Sequence, residues 1–172
     1  MALVELMNNG TLKHCISMNI DGLHRKSGID PEKLSELYGN NNLEMCNLCE
    51  REYMRDYEVR TATEVGHHKT GRKCDSQDCN GALEDTIIKF GENVNNQIFA
   101  IGFAASQFSD LMICMGSSIR IAPANAMPAL TYKMGGKVVV INLQKTPCDP
   151  FAELVIHERV DKVMAMLMEK LQ

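Results

Sequence analysis

Apolar residues recur along this chain in two rhythms. Near its end, Val160, Val163, Met164, Leu167, Met168 and Leu171 fall three and four apart, which predicts one face of an amphipathic helix. Ile98, Ile101, Ala105 and Phe108 keep the same spacing and predict a helix over 98–108 with those residues facing inward. Leu3, Val4, Leu6 and Met7 predict the end of another, which Asn8-Asn9-Gly10 stops. The second rhythm is the short continuous apolar run. Leu111 to Met115 and Lys137 to Asn142 read as parallel strands buried on both faces. Between them lie Gly116-Ser117-Ser118 and a predicted helix, Pro123 to Met134, ended by Gly135-Gly136, so the stretch reads as a βαβ unit. Cys15 to Met18 and Asp85 to Phe90 predict further strands. Pro31 to Leu37 predicts one or two helical turns behind Asp30 as N-cap.

From Glu44 to Leu83 no apolar period survives. Cysteines, glycines and charges dominate, so this stretch reads as an insert with its own means of holding together. The whole chain, 172 residues with 45% apolar and 23% charged residues, fits a folded domain or a domain with a small insert. A formal charge of −4 excludes a basic face over the whole domain, though not a local patch. No apolar run reaches the roughly 18 residues of a membrane helix. The opening Met1-Ala-Leu-Val-Glu-Leu-Met lacks the marks of a secretory signal. The expectation is a soluble intracellular chain without a membrane partner.

Seven cysteines are an odd count, which argues against a complete disulfide framework and for metal. Cys46-x2-Cys49 and Cys74-x4-Cys79 stand 24 residues apart. Four thiolates in two short hairpins can surround Zn²⁺ tetrahedrally and leave no position open for substrate, so the site is structural. Zinc would supply the folding energy that residues 44–83 cannot draw from an apolar core. His67 and His68 lie between the pairs, but the cysteine set is complete without them. Cys15 and Cys114 fall in predicted strands and read as inert core, like most of the 12 methionines. Cys148 is likewise single, and His14, His24 and His157 have no arranged partner in the sequence and read as structural or surface groups.

Two weaker signals lie in the βαβ unit. Small residues at Gly116-Ser117-Ser118 let a phosphate or ribose approach the backbone at a strand's carboxyl edge, and an ordinary tight turn would look the same. Asn142-Leu143-Gln144 puts two polar side chains at the end of the next strand, facing the same crevice or simply forming a loop.

Ser17-Met18-Asn19-Ile20-Asp21-Gly22-Leu23-His24 and Leu34-Ser35-Glu36-Leu37-Tyr38-Gly39-Asn40 bring in a resemblance. With the four-cysteine insert, Phe90-Gly91-Glu92, Gly116-Ser117-Ser118 and Val140-Ile141-Asn142-Leu143-Gln144, they resemble the sirtuins, in the same order and over nearly the whole chain. Thr70-Gly71-Arg72-x-Cys74, Asn142-Leu143-Gln144-x-Thr146 and Ile156-His157 ahead of Val160-Asp161 resemble the class IV branch, the sirtuin 6 and sirtuin 7 type. The zinc insert looks more like the latter.

The resemblance implies an α/β fold: a Rossmann-like domain from 1–43 and 84–172, with 44–83 as a four-cysteine zinc module. It implies an NAD-dependent protein-lysine deacylase acting on histone tails or other acylated proteins, in the nucleus and on chromatin. In sirtuins the acyl oxygen attacks the nicotinamide ribose, nicotinamide leaves, and a histidine acts as general base on the ribose hydroxyls. By motif match, Asn19 would help position water and Asp21 would hold the carboxamide, both in the nicotinamide pocket. Gly116 and Ser118 would contact the phosphate–ribose part, Asn142 and Gln144 the adenosine ribose, and Val160 the adenine. Phe90-Gly91-Glu92 would pair with the substrate peptide as an added strand.

Three departures bear on that expectation. Tyr38 stands where the family has its catalytic histidine. A phenol with a pKa of about 10 is ionised to roughly one part in a thousand at pH 7, whereas a histidine near 6.5 is mostly free base. Met18 stands at the cofactor-lining position where the family has glutamine, and a thioether cannot replace an amide's two-way hydrogen bonding. The family's opening strand and Gly-Ala-Gly phosphate loop have no counterpart, so the resemblance is to an amino-terminally truncated member with a partial sheet. Three readings stand: a deacylase impaired by Tyr38 and by the truncation, a non-catalytic module that binds peptide or chromatin, and, more remotely, a decaying gene product with no stable fold.

Overall fold

The computed structural model describes residues 1–171. In chain order the elements are α1 (Ala2–Asn8), β1 (Cys15–Ser17), α2 (Leu23–Ser27), a 3₁₀ turn (Pro31–Lys33), β2 (Leu34–Glu36), β3 (Leu43–Cys46), β4 (Glu52–Met54), β5 (Lys69–Lys73) and β6 (Ala82–Asp85). They continue as α3 (Asn96–Gln107), β7 (Leu111–Met115), α4 (Ala126–Lys133), β8 (Lys137–Ile141), β9 (Leu154–Ile156) and α5 (Val160–Leu171). They form two compact units, Cys15–Phe99 and Met1–His14 with Ala100 onward; α3 runs across the boundary. No described helix is long and apolar enough to cross a membrane.

The second unit is a parallel sheet of order β7-β8-β9. β8 is its centre because Lys-Val-Val-Val-Ile can bury both faces. Val138 and Val140, both 0% exposed, pack on one side with Ile119 and Cys148. Ile141 packs on the other with Leu6 of α1 and Met164 of α5. Val160, Val163, Leu167 and Met168 join that cluster, as the helical spacing predicts, while Leu171 at the helix end is exposed. β7 differs from its reading as a strand buried on both faces. It has one ladder neighbour, Leu111 is exposed, and Met112 to Met115 are half-buried. α3 also departs from its expected inward face. Ile101 and Phe108 are exposed, and the buried positions are Gly102 and Ser106. Small residues four apart bring α3 close enough for the Thr131 hydroxyl of α4 to donate to Ser106 O at 2.7 Å.

The first unit holds a parallel pair, β1 against β2, and an antiparallel sheet of order β4-β3-β6-β5. Asp30 caps as expected, its Oδ1 accepting from Glu32 N at 3.0 Å. The turn it starts is a single 3₁₀ turn, and the residues read as its continuation, Leu34 to Glu36, are instead strand β2. The pull is tertiary, because Ser17 O accepts from Leu37 N at 3.1 Å once β1 lies alongside. The strand expected over Asp85 to Phe90 does not form: β6 is Ala82–Asp85 and stops where that strand would begin. Beyond it Ile88 N donates to Tyr38 O rather than to a ladder. The four strands of residues 43–85 were hidden because their register is set by polar contacts rather than by apolar alternation.

Glu44 is the centre of those contacts. It is 0% exposed and accepts from Arg55 Nε at 2.8 Å, from the Thr70 hydroxyl at 2.8 Å and from Arg72 Nε at 2.8 Å. Arg72 also donates to Val59 O at 2.7 Å. The Thr70-Gly71-Arg72 motif is therefore a clasp on a buried carboxylate. Burial opposes the ionisation of Glu44, but Arg55, Thr70 and Arg72 outweigh it and hold the carboxyl below its usual range. A carboxyl lowered in this way contributes stability above its unfolded value of about 4.3, and loses it as the pH falls through the folded value. Glu44→Gln is expected to lower stability by about 3 kcal/mol near neutrality, with the gap closing toward pH 3. Urea unfolding of both proteins at the two pH values measures this; an equal gap at both would refute the clasp.

Candidate functional site

Three of the predicted site segments come together in the first unit. β1 and β2 run parallel, so the residues that leave their carboxyl ends are neighbours. After β1, Ser17 Oγ accepts from Asn19 N at 3.1 Å, and Asp21 Oδ1 accepts from Leu23 N at 3.0 Å and starts α2. Asn19 and Asp21 are exposed and Met18 is half-buried. After β2 comes half-buried Tyr38, and Asn41 N donates to Ile20 O at 2.8 Å, tying the two loops together. Tyr38 O accepts from Ile88 N at 3.0 Å, which brings the chain leading to Phe90-Gly91-Glu92 beside it.

The residue after Tyr38 must be glycine. Gly39 sits at φ +80°, and a Cβ there would lie 1.9 Å from Thr86 O. Asn40, fully buried, accepts from Asn42 N at 2.9 Å and donates to Glu36 Oε1 at 2.9 Å. Glu36 in turn pairs with Arg25 at 2.9 Å, and Arg25 reaches Glu52 at 2.7 Å. The backbone at position 38 is thus fixed on both sides by buried polar contacts, whichever side chain it carries.

The second unit gathers the other predicted positions at the carboxyl ends of its own three strands. Gly116 follows β7 at φ +61°, its N donating to Ile141 O at 3.0 Å; a Cβ added there would meet Val160 Cγ2 at 3.8 Å. Asn142 follows β8 and its Nδ2 donates to Gln144 O at 2.9 Å. His157 follows β9, and its Nδ1 lies 2.9 Å from Asn142 O. Sequence reasoning gave His157 no partner; only the β8–β9 register supplies one. Ser118 and Gln144 are exposed. Gly116, Asn142 and Val160 thus stand at or just beyond the carboxyl ends of neighbouring strands. Of the single cysteines, Cys148 is 2% exposed and Cys15 and Cys114 are half-buried. Burial, aided by Glu36, pushes the Cys15 thiol up to about 11.

The four motif cysteines converge. Their sulfurs all lie within 4.8 Å of one another, with Cys46 to Cys79 at 3.5 Å and Cys49 to Cys74 at 3.6 Å. A tetrahedral zinc with Zn–S of about 2.3 Å sets sulfurs about 3.8 Å apart, so the donor set fits the ion. The Cys49 amide, against burial and with help from the Leu48 amide, brings the Cys46 thiol down to about 6. The Gly81 amide favours the Cys79 thiolate, but burial and the three neighbouring sulfurs push it up to about 12. Four thiolates cannot coexist here without a cation between them. Two further residues shape the cluster and escaped the sequence reading. Gly81 is required because a Cβ would lie 2.3 Å from Cys46 Sγ, and the Tyr53 hydroxyl lies 3.0 Å from Cys74 Sγ. His67 and His68 are not in the cluster.

Residues 1–123 match the model of the Sir2 family. The chain is 46% identical over 171 residues to the NAD-dependent protein deacetylase SRT1 of Arabidopsis thaliana, covering 99% of this chain and 36% of that protein. It is 35% identical over 179 residues to the NAD-dependent protein deacetylase sirtuin-7 of Bos taurus, covering 99% and 44%. It therefore spans less than half the length of either relative. Among solved structures it is similar to Sir2 bound to acetylated peptide, with a TM-score of 0.76 and 32% identity over 98% of this chain and 68% of that one. It is also similar to a Sir2 carrying a histidine-to-tyrosine substitution, with p53 peptide and NAD, with a TM-score of 0.73 and 32% identity over 98% and 68%.

Proposed function

Because the chain belongs to the Sir2 family, we propose that it is an NAD-dependent protein-lysine deacylase whose turnover is throttled by the phenol at position 38. The observation that carries this reading is the gathering of Met18, Asn19, Asp21 and Tyr38 at the carboxyl end of one parallel strand pair, tied through Ile88 to the segment 90–92. Support comes also from the two relatives, both named NAD-dependent protein deacetylases.

In this reading Asn19 positions water, Asp21 holds the carboxamide and Met18 lines the cofactor pocket. Gly116, Ser118, Asn142, Gln144 and Val160 hold the nucleotide. NAD bound there supplies a ribose carbon that can accept the acyl oxygen. Phe90, Gly91 and Glu92 offer backbone to an acylated peptide strand. Cys46, Cys49, Cys74 and Cys79 hold a structural zinc that keeps the antiparallel sheet folded. Residues 44–83 are the zinc module, and 1–43 with 84–172 the Rossmann-like part. The substrate is an acylated lysine on a protein, a histone tail by the resemblance to the sirtuin 6 and 7 type. Nuclear, chromatin-associated work follows from the same resemblance.

Tyr38 favours a second reading as well, a non-catalytic module that keeps the peptide segment and the zinc. Nicotinamide release from NAD in the presence of an acetylated histone peptide separates the two. The deacylase reading expects a slow, peptide-dependent release above the background of a Cys46→Ser protein. No release alongside retained peptide binding would leave the binding module.

A further inference from the structure

Residues 89–92 form a tight turn. Glu92 N donates to Lys89 O at 3.0 Å, Gly91 sits at φ +97°, and Phe90 at the tip is 89% exposed. Its contacts run to the loop of residues 64–68. Glu92 Oε1 accepts from Gly66 N at 2.6 Å and Oε2 from Lys89 N at 2.7 Å. Lys89 Nζ donates to His67 O at 2.8 Å and to Glu64 O. Burial works against the Glu92 carboxylate, but the two amides and the charges of His68 and Lys89 hold its carboxyl below the usual range.

The His68 ring spans two carboxylates. Its Nε2 lies 3.2 Å from Glu92 Oε1 and its Nδ1 lies 3.2 Å from Asp85 Oδ1. The Asp85 side chain is 1% exposed, and its Oδ2 is buried without a hydrogen-bond partner. A neutral imidazole has one N–H. It can donate to one of these carboxylates and then turns a lone pair on the other. The doubly protonated ring donates to both and balances a buried charge.

We propose that His68 is a positioning residue for Phe90-Gly91-Glu92, and that its bridge from Asp85 to Glu92 sets how firmly this segment is held for an acylated peptide strand. The proposal rests on the reading of 90–92 as the peptide-pairing segment. The ring clamps the turn between Asp85 and the 64–68 loop; without it Glu92 is held by the Gly66 and Lys89 amides alone.

The test uses the full zinc-loaded chain and an acetyl-lysine histone peptide, with the unacetylated peptide as control. Peptide Kd is measured near neutrality, with amide exchange at Gly66 and Lys89 read in parallel. His68→Gln should bind the acetylated peptide several-fold more weakly, with unchanged zinc content and faster exchange at both amides. Glu92→Gln, which removes the charge at the other end of the clamp, should weaken binding too, and adding His68→Gln to it should weaken binding no further. A His68→Gln protein that keeps the unvaried Kd, or two losses that simply add, overturns the proposal. If the unvaried protein does not distinguish the two peptides while His68→Gln still loosens both amides, the reading of 90–92 is what fails, and the proposal falls with it.

Discussion

Replacing Cys46 with serine is expected to abolish zinc binding and to melt the β4-β3-β6-β5 sheet. Cys46 is 0% exposed and ends β3, the strand paired with both β4 and β6. Its sulfur is 3.5 Å from Cys79 and lies against Gly81, so the loss removes one donor and the packing partner of the second knuckle together. Structural zinc sites of this kind contribute apparent binding energies of about 10–16 kcal/mol at neutral pH, more than the whole stability of an ordinary domain. The Glu44 clasp cannot make up such a deficit. Zinc content by elemental analysis should drop from one equivalent to near zero, and β-sheet circular dichroism should fall with it. Cys148→Ser is the control: that thiol lies in the apolar cluster with Val138 and Val140, is not one of the four clustered cysteines, and its loss should leave zinc untouched. Retention of a full equivalent of zinc in Cys46→Ser would mean that the cluster is not the metal site.

Tyr38→His is expected to raise NAD-dependent deacylation by about 10²–10⁴-fold, the range over which a positioned general base acts. The backbone at 38 is held by Leu37, by Gly39 against Thr86 and by the Ile88 amide, none of which depends on the side chain. An imidazole placed there should therefore adopt a working position without rebuilding the loop. Acetyl-peptide turnover and peptide Kd are measured together. A large gain in turnover at constant Kd assigns the deficit to proton transfer. No gain, with peptide still bound, would move the fault from Tyr38 to Met18 and the residues beside it.

What the sequence could disclose follows from the kind of interaction that holds each part. β8 and α5 announce themselves because apolar burial repeats at fixed intervals, and the structure buries Val138, Val140, Ile141 and Met164 accordingly. The zinc cluster announces itself because thiolate chemistry needs paired cysteines at short spacing, and the four sulfurs do meet. β2 does not, since Pro31-Glu32-Lys33 carries a helix-start signal that only the neighbouring β1 overrides beyond Lys33. The sheet around the cysteines does not either. Its register depends on Glu44 meeting Arg55, Thr70 and Arg72, residues up to 28 positions away. The inner face of α3 was misread because helix contact there runs through Gly102 and Ser106, whose smallness is the point of contact. The positions that resemble catalytic and cofactor residues were legible only as motifs. Their grouping at two sets of strand ends came from the topology.

The sulfur spacing also decides what an oxidant would do. Two sulfur pairs reach across the knuckles, Cys46 to Cys79 at 3.5 Å and Cys49 to Cys74 at 3.6 Å. If peroxide displaces the metal, both pairs are close enough to close as disulfides, each surrendering two electrons and two protons to the peroxide. They would staple the hairpins together in nearly their native arrangement while leaving no thiolate to take zinc back. Oxidative damage to this module would then look like a folded, metal-free protein that a thiol reductant restores, rather than a precipitate.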